Sequence, residues 1–227
     1  MKSLLYLSYE NVASVGLSMS EIIDTVEDAF RQKGLGKVEV PPKPGIHTQP
    51  DAFIHAMPAY IPELRAAGMK WVAGYPENYK RGLPYISGLL IMNDPETGLP
   101  LCVMDCTWIT AKRTGAATAV AAKYLARKDS KSLGILGCGV QGRSNLEALK
   151  AVFPAINLVK AYDISPENLA CYIEEMQAQF NIKIVGVNSP KEAVVNSDII
   201  VTAGPILKNP NPIIEAEWLK PGSFACP

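Results

Sequence analysis

The sequence predicts an α/β protein in two parts, a Rossmann-type doubly wound parallel sheet preceded by an N-terminal α+β domain. Three observations carry that prediction. From Ser132 onward, short apolar runs alternate with helix-like segments, the rhythm of parallel strands joined by crossover helices. The first of these runs, Ser132–Leu136, leads straight into Gly137-Cys138-Gly139-Val140-Gln141-Gly142, the G-x-G-x-x-G turn that joins a strand to a phosphate-facing helix. Before Thr107 the pattern differs. Strand-like runs Tyr85–Asn93 and Leu99–Asp105 flank the turn Asp94-Pro-Glu-Thr-Gly98, which reads as an antiparallel region with a helix against it. The boundary falls between residues 112 and 113, giving segments 1–112 and 113–227.

Along the chain, Ser18-Met-Ser-Glu21 has the form of a capping box, and Ile22, Val26, Ala29 and Phe30 then fall on one helical face. Gly34 and Gly36 end that helix. The Pro-rich stretch from Val38 to Pro62 leaves room for a short strand, Phe53–Met57; Ala67–Ala73 reads as another, followed by a loop to Pro84. From Trp108 to Ala126 the chain is helical and Ala-rich. Gly115, Ala116, Ala117, Ala119 and Ala122 make a small-residue surface there, open to a helix, a sheet or a ligand. Next come strand Ser132–Leu136, helix Gln141–Val152, strand Leu158–Tyr162 and helix Pro166–Phe180. Strand Lys183–Val187, a short helix Pro190–Val195 and strand Ile199–Thr202 follow. Ser223–Cys226 reads as the start of a further strand, so the C-terminal part of the fold is expected to be missing from this chain.

Composition narrows the function classes. The 227 residues suffice for one large or two modest domains, with 48% hydrophobic and 19% charged residues. Lys plus Arg and Asp plus Glu are 22 each, so neither a nucleic-acid face nor an acidic tail is implied. No apolar run is long enough to span a bilayer, and the N-terminus lacks a signal-peptide pattern. Five scattered cysteines without a C-x-x-C, and only two histidines, read as buried thiols in a reduced, cytoplasmic protein with no metal site.

The glycine turn carries the chemistry. A lone G-x-G-x-x-G is weak, but this one has a strand before it, a helix after it and an acid, Asp163, at the end of the next strand. An Asp there accepts hydrogen bonds from a ribose 2′-hydroxyl and repels a 2′-phosphate, which favours NAD over NADP. Gly137, Gly139, Val140, Gln141, Gly142, Asp163 and Thr202 are therefore the candidate cofactor residues. Lys70 lies inside an apolar strand; it is either a solvated-face lysine or one desolvated in a cleft, where a lowered pKa lets it move protons near neutrality. Lys112 and Arg113 form either a solvated pair or, through Arg113, a site for a phosphate or carboxylate.

Taken in order, Ala56-Met-Pro-Ala59, Gly68-Met-Lys-Trp-Val72, Gly74-Tyr-Pro-Glu-Asn78, Gly88-Leu-Leu-Ile91, Asp94–Gly98, Thr110-Ala-Lys-Arg-Thr-Gly-Ala116, Ala121-Ala-Lys-Tyr-Leu125 and Gly137–Gly142 resemble the ornithine cyclodeaminase/mu-crystallin family. The resemblance implies a cytoplasmic homodimer in which residues 1–112 bind substrate and dimerise while 113–227 bind NAD(P). It implies hydride transfer at the α-carbon of a small amino or imino acid. The family's type reaction converts ornithine to proline and ammonia; relatives oxidise amino acids or reduce imines, and mu-crystallin-like members act as binding proteins without turnover. By the same resemblance Lys70 matches the catalytic lysine, Arg113 the arginine at the cofactor and substrate boundary, and Met57 a substrate-lining methionine. The family's catalytic aspartate would fall after Pro227. Two positions depart from the pattern: Lys43 stands where a carboxylate-binding arginine is common, and His55 where the cyclodeaminase has a glutamate. His55 is either a half-buried strand histidine or, because a neutral histidine holds a distal ammonium poorly, a sign of a substrate other than ornithine; the reaction stays open between cyclodeamination and net dehydrogenation or imine reduction.

Overall fold

The computed structural model describes residues 3–226, which fall into two compact units. The first comprises the residues up to Ser18, Asp24–Thr110 and Ile206–Lys208; the second comprises Met19–Ile23, Ala111–Pro205 and the residues from Asn209 onward.

The first unit is built on strands β1 (Leu5–Leu7), β2 (Gly45–Ile46), β3 (Phe53–Ile61), β4 (Ala66–Gly74), β5 (Ile86–Asn93) and β6 (Pro100–Asp105). They form one sheet in the order β1-β6-β5-β4-β3-β2, antiparallel except for β1, which runs parallel to β6. Helix α1 (Tyr9–Ala13) starts at Ser8, whose hydroxyl accepts the Asn11 N–H while the Asn11 side chain accepts the Ser8 N–H. Helix α2 (Met19–Gly34) forms as the spacing predicts, but only Met19 and Ile23 are buried, whereas Phe30 is largely exposed. The turn between β5 and β6 forms as expected: Asp94 Oδ1 accepts the N–H groups of Glu96 and Thr97, and Gly98 closes the turn.

Strand β3 runs well past Met57, through Pro58 to Ile61. Proline is tolerated because this stretch lies near the sheet margin. Beyond it β2 pairs only with His55 and Ile54, so the missing Pro58 N–H leaves no ladder bond broken.

The second unit holds a five-stranded parallel sheet, β7 (Ser132–Leu136), β8 (Leu158–Tyr162), β9 (Lys183–Gly186), β10 (Ile199–Thr202) and β11 (Phe224–Cys226). Its order, β11-β10-β7-β8-β9, is the Rossmann arrangement, with the crossover reversing between β7 and β10. Helices α3 (Thr107–Leu125), α4 (Val140–Val152), α5 (Pro166–Phe180) and α6 (Pro190–Val194) accompany it. Leu133, Ile135, Leu146, Leu149, Val159, Tyr172, Ile199 and Val201 lie in its principal buried cluster, so these strands read as apolar runs because both faces are covered. The small-residue surface of α3 receives a helix: a Cβ on Gly115 would lie 2.3 Å from the Ser144 carbonyl of α4.

Asp198 ties the N-terminal ends of β7 and β10 together. Its carboxylate accepts the N–H groups of Lys131 and Ser132 and the Ser132 hydroxyl, and it pairs with Arg127 and Lys220. Of the five cysteines, Cys106 and Cys138 are buried as expected, but Cys171 is exposed. Among the described residues no helix is long and apolar enough to cross a membrane.

Candidate functional site

In the second unit the chemistry gathers at the carboxyl ends of β7, β8 and β10. Gly137 follows β7 with φ +105°, a conformation that a side chain strains, and a Cβ there would meet the Ala203 carbonyl after β10 at 2.7 Å. Gly142 lets α4 descend onto the turn: a Cβ on it would lie 2.2 Å from the Gly137 carbonyl oxygen. Gly139 is different. Its φ of −81° and ψ of −158° suit any residue, and a Cβ there would meet no protein atom within 4 Å. Protein packing therefore does not require glycine at this position; the open side lies just ahead of α4, whose N-cap, Gly139 itself, makes no side-chain capping bond. Uncapped N–H groups and the positive end of a thirteen-residue helix face space that only glycine keeps clear. The shape and polarity fit a pyrophosphate.

Asp163, just past β8, accepts the Cys138 N–H on Oδ2 at 2.7 Å and the Ser165 N–H on Oδ1 at 2.9 Å. Those two bonds hold the carboxylate against the turn and leave it lone pairs for further donors. Val140 is exposed, Gln141 half-buried, and Thr202 ends β10 beside Leu136 of β7 in the parallel register. Cys138, inside the fingerprint, is not a nucleophile: burial, helped by the Asp163 charge and opposed by Arg143, pushes its thiol up to about 12. Arg113 lies exposed on α3 in this unit. Its neighbour Lys112 is not the solvated residue that the sequence allowed, because it pairs with Glu147 of α4 with both side chains mostly covered.

In the first unit, cross-strand register sets the second group. Met57 of β3 stands opposite Lys70 of β4, and Lys70 opposite Leu90 of β5. His55 is two residues from Met57, so His55, Met57 and Lys70 share one face of the sheet. Lys70 is half-buried, and its Nζ donates to Thr110 Oγ1 at 3.4 Å. Thr110 and the fully buried Cys106 beside it come from the start of α3 and the residue preceding it. Burial raises the Cys106 thiol, against a Thr110 hydrogen bond and the Lys70 charge, so the lysine faces a neutral sulfur and a hydroxyl.

His55 stacks on Phe53 at 4.4 Å between ring centroids and meets His47 edge-on at 6.3 Å. Gly45 makes room for it, since a Cβ there would fall 2.2 Å from the imidazole. Desolvation first, then the charges of Lys43 and His47, lower its pKa, so it is neutral at pH 7. Lys43 itself is exposed on the segment before β2.

The structure thus brings Lys43, His55, Met57 and Lys70 together in one unit, and the glycine turn, Asp163 and Thr202 together in the other. Sequence reasoning passed over Thr110, Cys106 and Arg143. Thr110 opens one of the quoted motifs and Cys106 lies just before it, but both reach Lys70 only through the fold; Arg143 directly follows the third glycine, and its partners lie on α5 and the turn itself.

A family model described as the ornithine cyclodeaminase/mu-crystallin family matches residues 5–226. The alanine dehydrogenase of Archaeoglobus fulgidus is 41% identical over 222 residues, which cover 96% of this chain and 65% of that protein. The ornithine cyclodeaminase of Agrobacterium fabrum is 33% identical over 205 residues, 87% of this chain and 56% of that protein. Among solved structures, the Thermococcus litoralis Δ1-pyrroline-2-carboxylate reductase in complex with NADH and L-proline is similar at a TM-score of 0.92. It shares 41% identity, over 98% of this chain and 68% of that one. The chain spans between about half and two thirds of the length of these relatives.

Proposed function

This chain belongs to the ornithine cyclodeaminase/mu-crystallin family, and on that premise we propose that it serves an NAD-dependent oxidoreductase moving a hydride to or from the α-carbon of a small amino or imino acid. Within that class, net reduction or oxidation is favoured over cyclodeamination. His55 carries the choice. A neutral imidazole flanked by Lys43 and His47 gives the distal ammonium of ornithine no counter-charge, whereas a small or cyclic apolar side chain needs none. Support comes also from the similarity at 40–41% identity to alanine dehydrogenases and an imino-acid reductase, against 33% for the ornithine cyclodeaminase.

The nicotinamide supplies or accepts the hydride when NAD(H) is bound. The residues of this chain do the rest. The fingerprint turn, where Val140 and Gln141 open the helix, would hold the pyrophosphate, and Asp163 would accept the ribose hydroxyls and disfavour a 2′-phosphate. Lys43 would supply a cation for the substrate carboxylate and Met57 would line the substrate side chain, while in the second unit Arg113 would supply a cation to the cofactor. Lys70 is the proposed catalytic residue: in reduction its ammonium would give a proton to the substrate nitrogen, and in oxidation its amine would take that proton back. Thr202 lies on the cofactor side.

Residues 1–112 are proposed to bind substrate and to dimerise, and 113–227 to bind cofactor. The sheet face opposite Lys70 carries Tyr6, Ile46, Trp71 and Leu89, all substantially exposed, in rows with Ile54, Met69 and Ile91. A homodimer would cover it, and sedimentation of the purified protein checks the mass. The reaction is tested by supplying NADH with Δ1-pyrroline-2-carboxylate, or with pyruvate plus ammonia, and following nicotinamide absorbance. Stoichiometric NADH consumption supports net reduction. Proline and ammonia from ornithine with no net change in NADH would replace it with cyclodeamination.

A further inference from the structure

We propose that Arg143 is the positioning residue of the dinucleotide turn, holding two peptide carbonyls so that their partner N–H groups face the bound pyrophosphate. The inference rests on reading this turn as a dinucleotide site, but it concerns a residue outside the glycine motif. Arg143 Nη1 donates to the Cys138 carbonyl and, at 3.4 Å, to the Gly139 carbonyl. Its Nε donates to Glu175 Oε2 at 2.6 Å, and its guanidinium carbon lies 5.5 Å from the centroid of the Tyr172 ring. Tyr172 is fully buried, with its hydroxyl directed at the Gly142 carbonyl. The cation is therefore fixed by a carboxylate on α5 and an aromatic face, and it delivers its remaining bonds to the turn.

The consequence follows from peptide geometry. In a trans peptide the N–H points away from the C=O. Carbonyls of Cys138 and Gly139 turned toward Arg143 send the N–H groups of Gly139 and Val140 the other way, away from the guanidinium. The Cys138 residue is gripped at both ends, its N–H by Asp163 and its C=O by Arg143. The open side of Gly139, where no protein atom would meet a Cβ, completes the cradle. A direct role for Arg143 on a cofactor 2′-phosphate is disfavoured. Nε and Nη1 are already committed, Nη2 lies 3.6 Å from Cys171 Sγ, and Glu175 adds a negative charge beside them.

The test compares wild type with Arg143→Met, Arg143→Lys and Glu175→Gln. The readouts are binding of NADH and NADPH by fluorescence titration, thermal unfolding, and amide hydrogen exchange without cofactor. Arg143→Met is expected to weaken both NADH and NADPH by about tenfold, the scale of one charge-assisted bond. Faster exchange is expected to be confined to residues 138–141. Arg143→Lys recovers part of the affinity, and Glu175→Gln falls between wild type and Arg143→Met. Wild-type-like NADH binding by Arg143→Met overturns the proposal, as does a loss confined to NADPH, which would make Arg143 a phosphate ligand. Exchange rising across the whole unit together with a large fall in Tm would leave only a structural role and also overturns it. Failure of the wild-type protein to bind NADH would instead remove the dinucleotide reading beneath it.

Discussion

Replacing Asp198 by Asn keeps the side-chain shape and removes one charge at the most heavily bonded carboxylate described in the second unit. Asp198 is 7% exposed and receives two backbone N–H groups, one hydroxyl and two cations. Burial alone would raise its pKa. The Lys220 hydrogen bond and the donors of Lys131 and Ser132 outweigh burial and hold the carboxyl well below the usual range. An amide in its place keeps one acceptor oxygen and presents an NH2 group to donors, leaving some of them unpaired. Breaking a buried ion pair costs about 3–5 kcal/mol, but Arg127 is 45% and Lys220 28% exposed, so screening brings the expected loss to about 2–3 kcal/mol. Across a chain of 227 residues that is a fall in Tm of about 4–12 °C. The sign with pH follows from the depressed pKa. The carboxylate stabilises the native state above the unfolded-state value of about 3.9, and the contribution is lost as pH falls from there through the lower folded-state pKa. Thermal unfolding followed by circular dichroism at pH 7 and at pH 3 measures both. A variant that melts with wild type at pH 7, or whose deficit grows on acidification, would refute the assignment of Asp198 as the charged tie between β7 and β10.

Two glycines of the turn separate binding from folding. Gly139→Ala is expected to fold normally and lose NADH affinity by about tenfold or more, because its Cβ meets only the cofactor space; Gly142→Ala is expected to lower Tm as well, because its Cβ collides with the Gly137 carbonyl. Titration of both variants with NADH, alongside melting curves, checks the contrast. Lys70→Ala is expected to cut kcat by about 10²–10⁴ while NADH binding stays at the wild-type level, as measured by steady-state kinetics and fluorescence titration. Asp163→Ser is expected to narrow the preference for NADH over NADPH, read as the ratio of their dissociation constants.

The parallel sheet was legible because its strands are covered on both faces. Leu133, Ile135, Ile199 and Val201 make short apolar runs that turn residues punctuate, and the boundaries of β7, β8 and β10 match the expected ones. The N-terminal sheet was harder. Three-residue β1 and two-residue β2 are too short to show a period, and the five-residue α1 is capped through Asn11 rather than the Glu or Gln of the usual capping box. Pro58 argued for ending β3 early, and the local reason for its tolerance, a margin with little pairing beyond it, exists only once the strands are ordered. On the candidate site, the glycine turn and Asp163 follow from local spacing. Thr110 is forty residues from Lys70, and Glu175 is thirty-two from Arg143. No local pattern encodes those meetings; α3 and α5 bring them about by packing.

The proposed reaction is hydride exchange between NAD(H) and the α-carbon of a small amino or imino acid. Rapid mixing of the purified protein with NADH carrying deuterium at the transferable position, and Δ1-pyrroline-2-carboxylate, tests it directly. The predicted result is proline labelled at the α-carbon in step with loss of NADH absorbance, both slowed about 10²–10⁴-fold by Lys70→Ala. NADH that binds but yields no labelled product from any small imino acid would contradict the account, leaving a dinucleotide-binding protein without turnover.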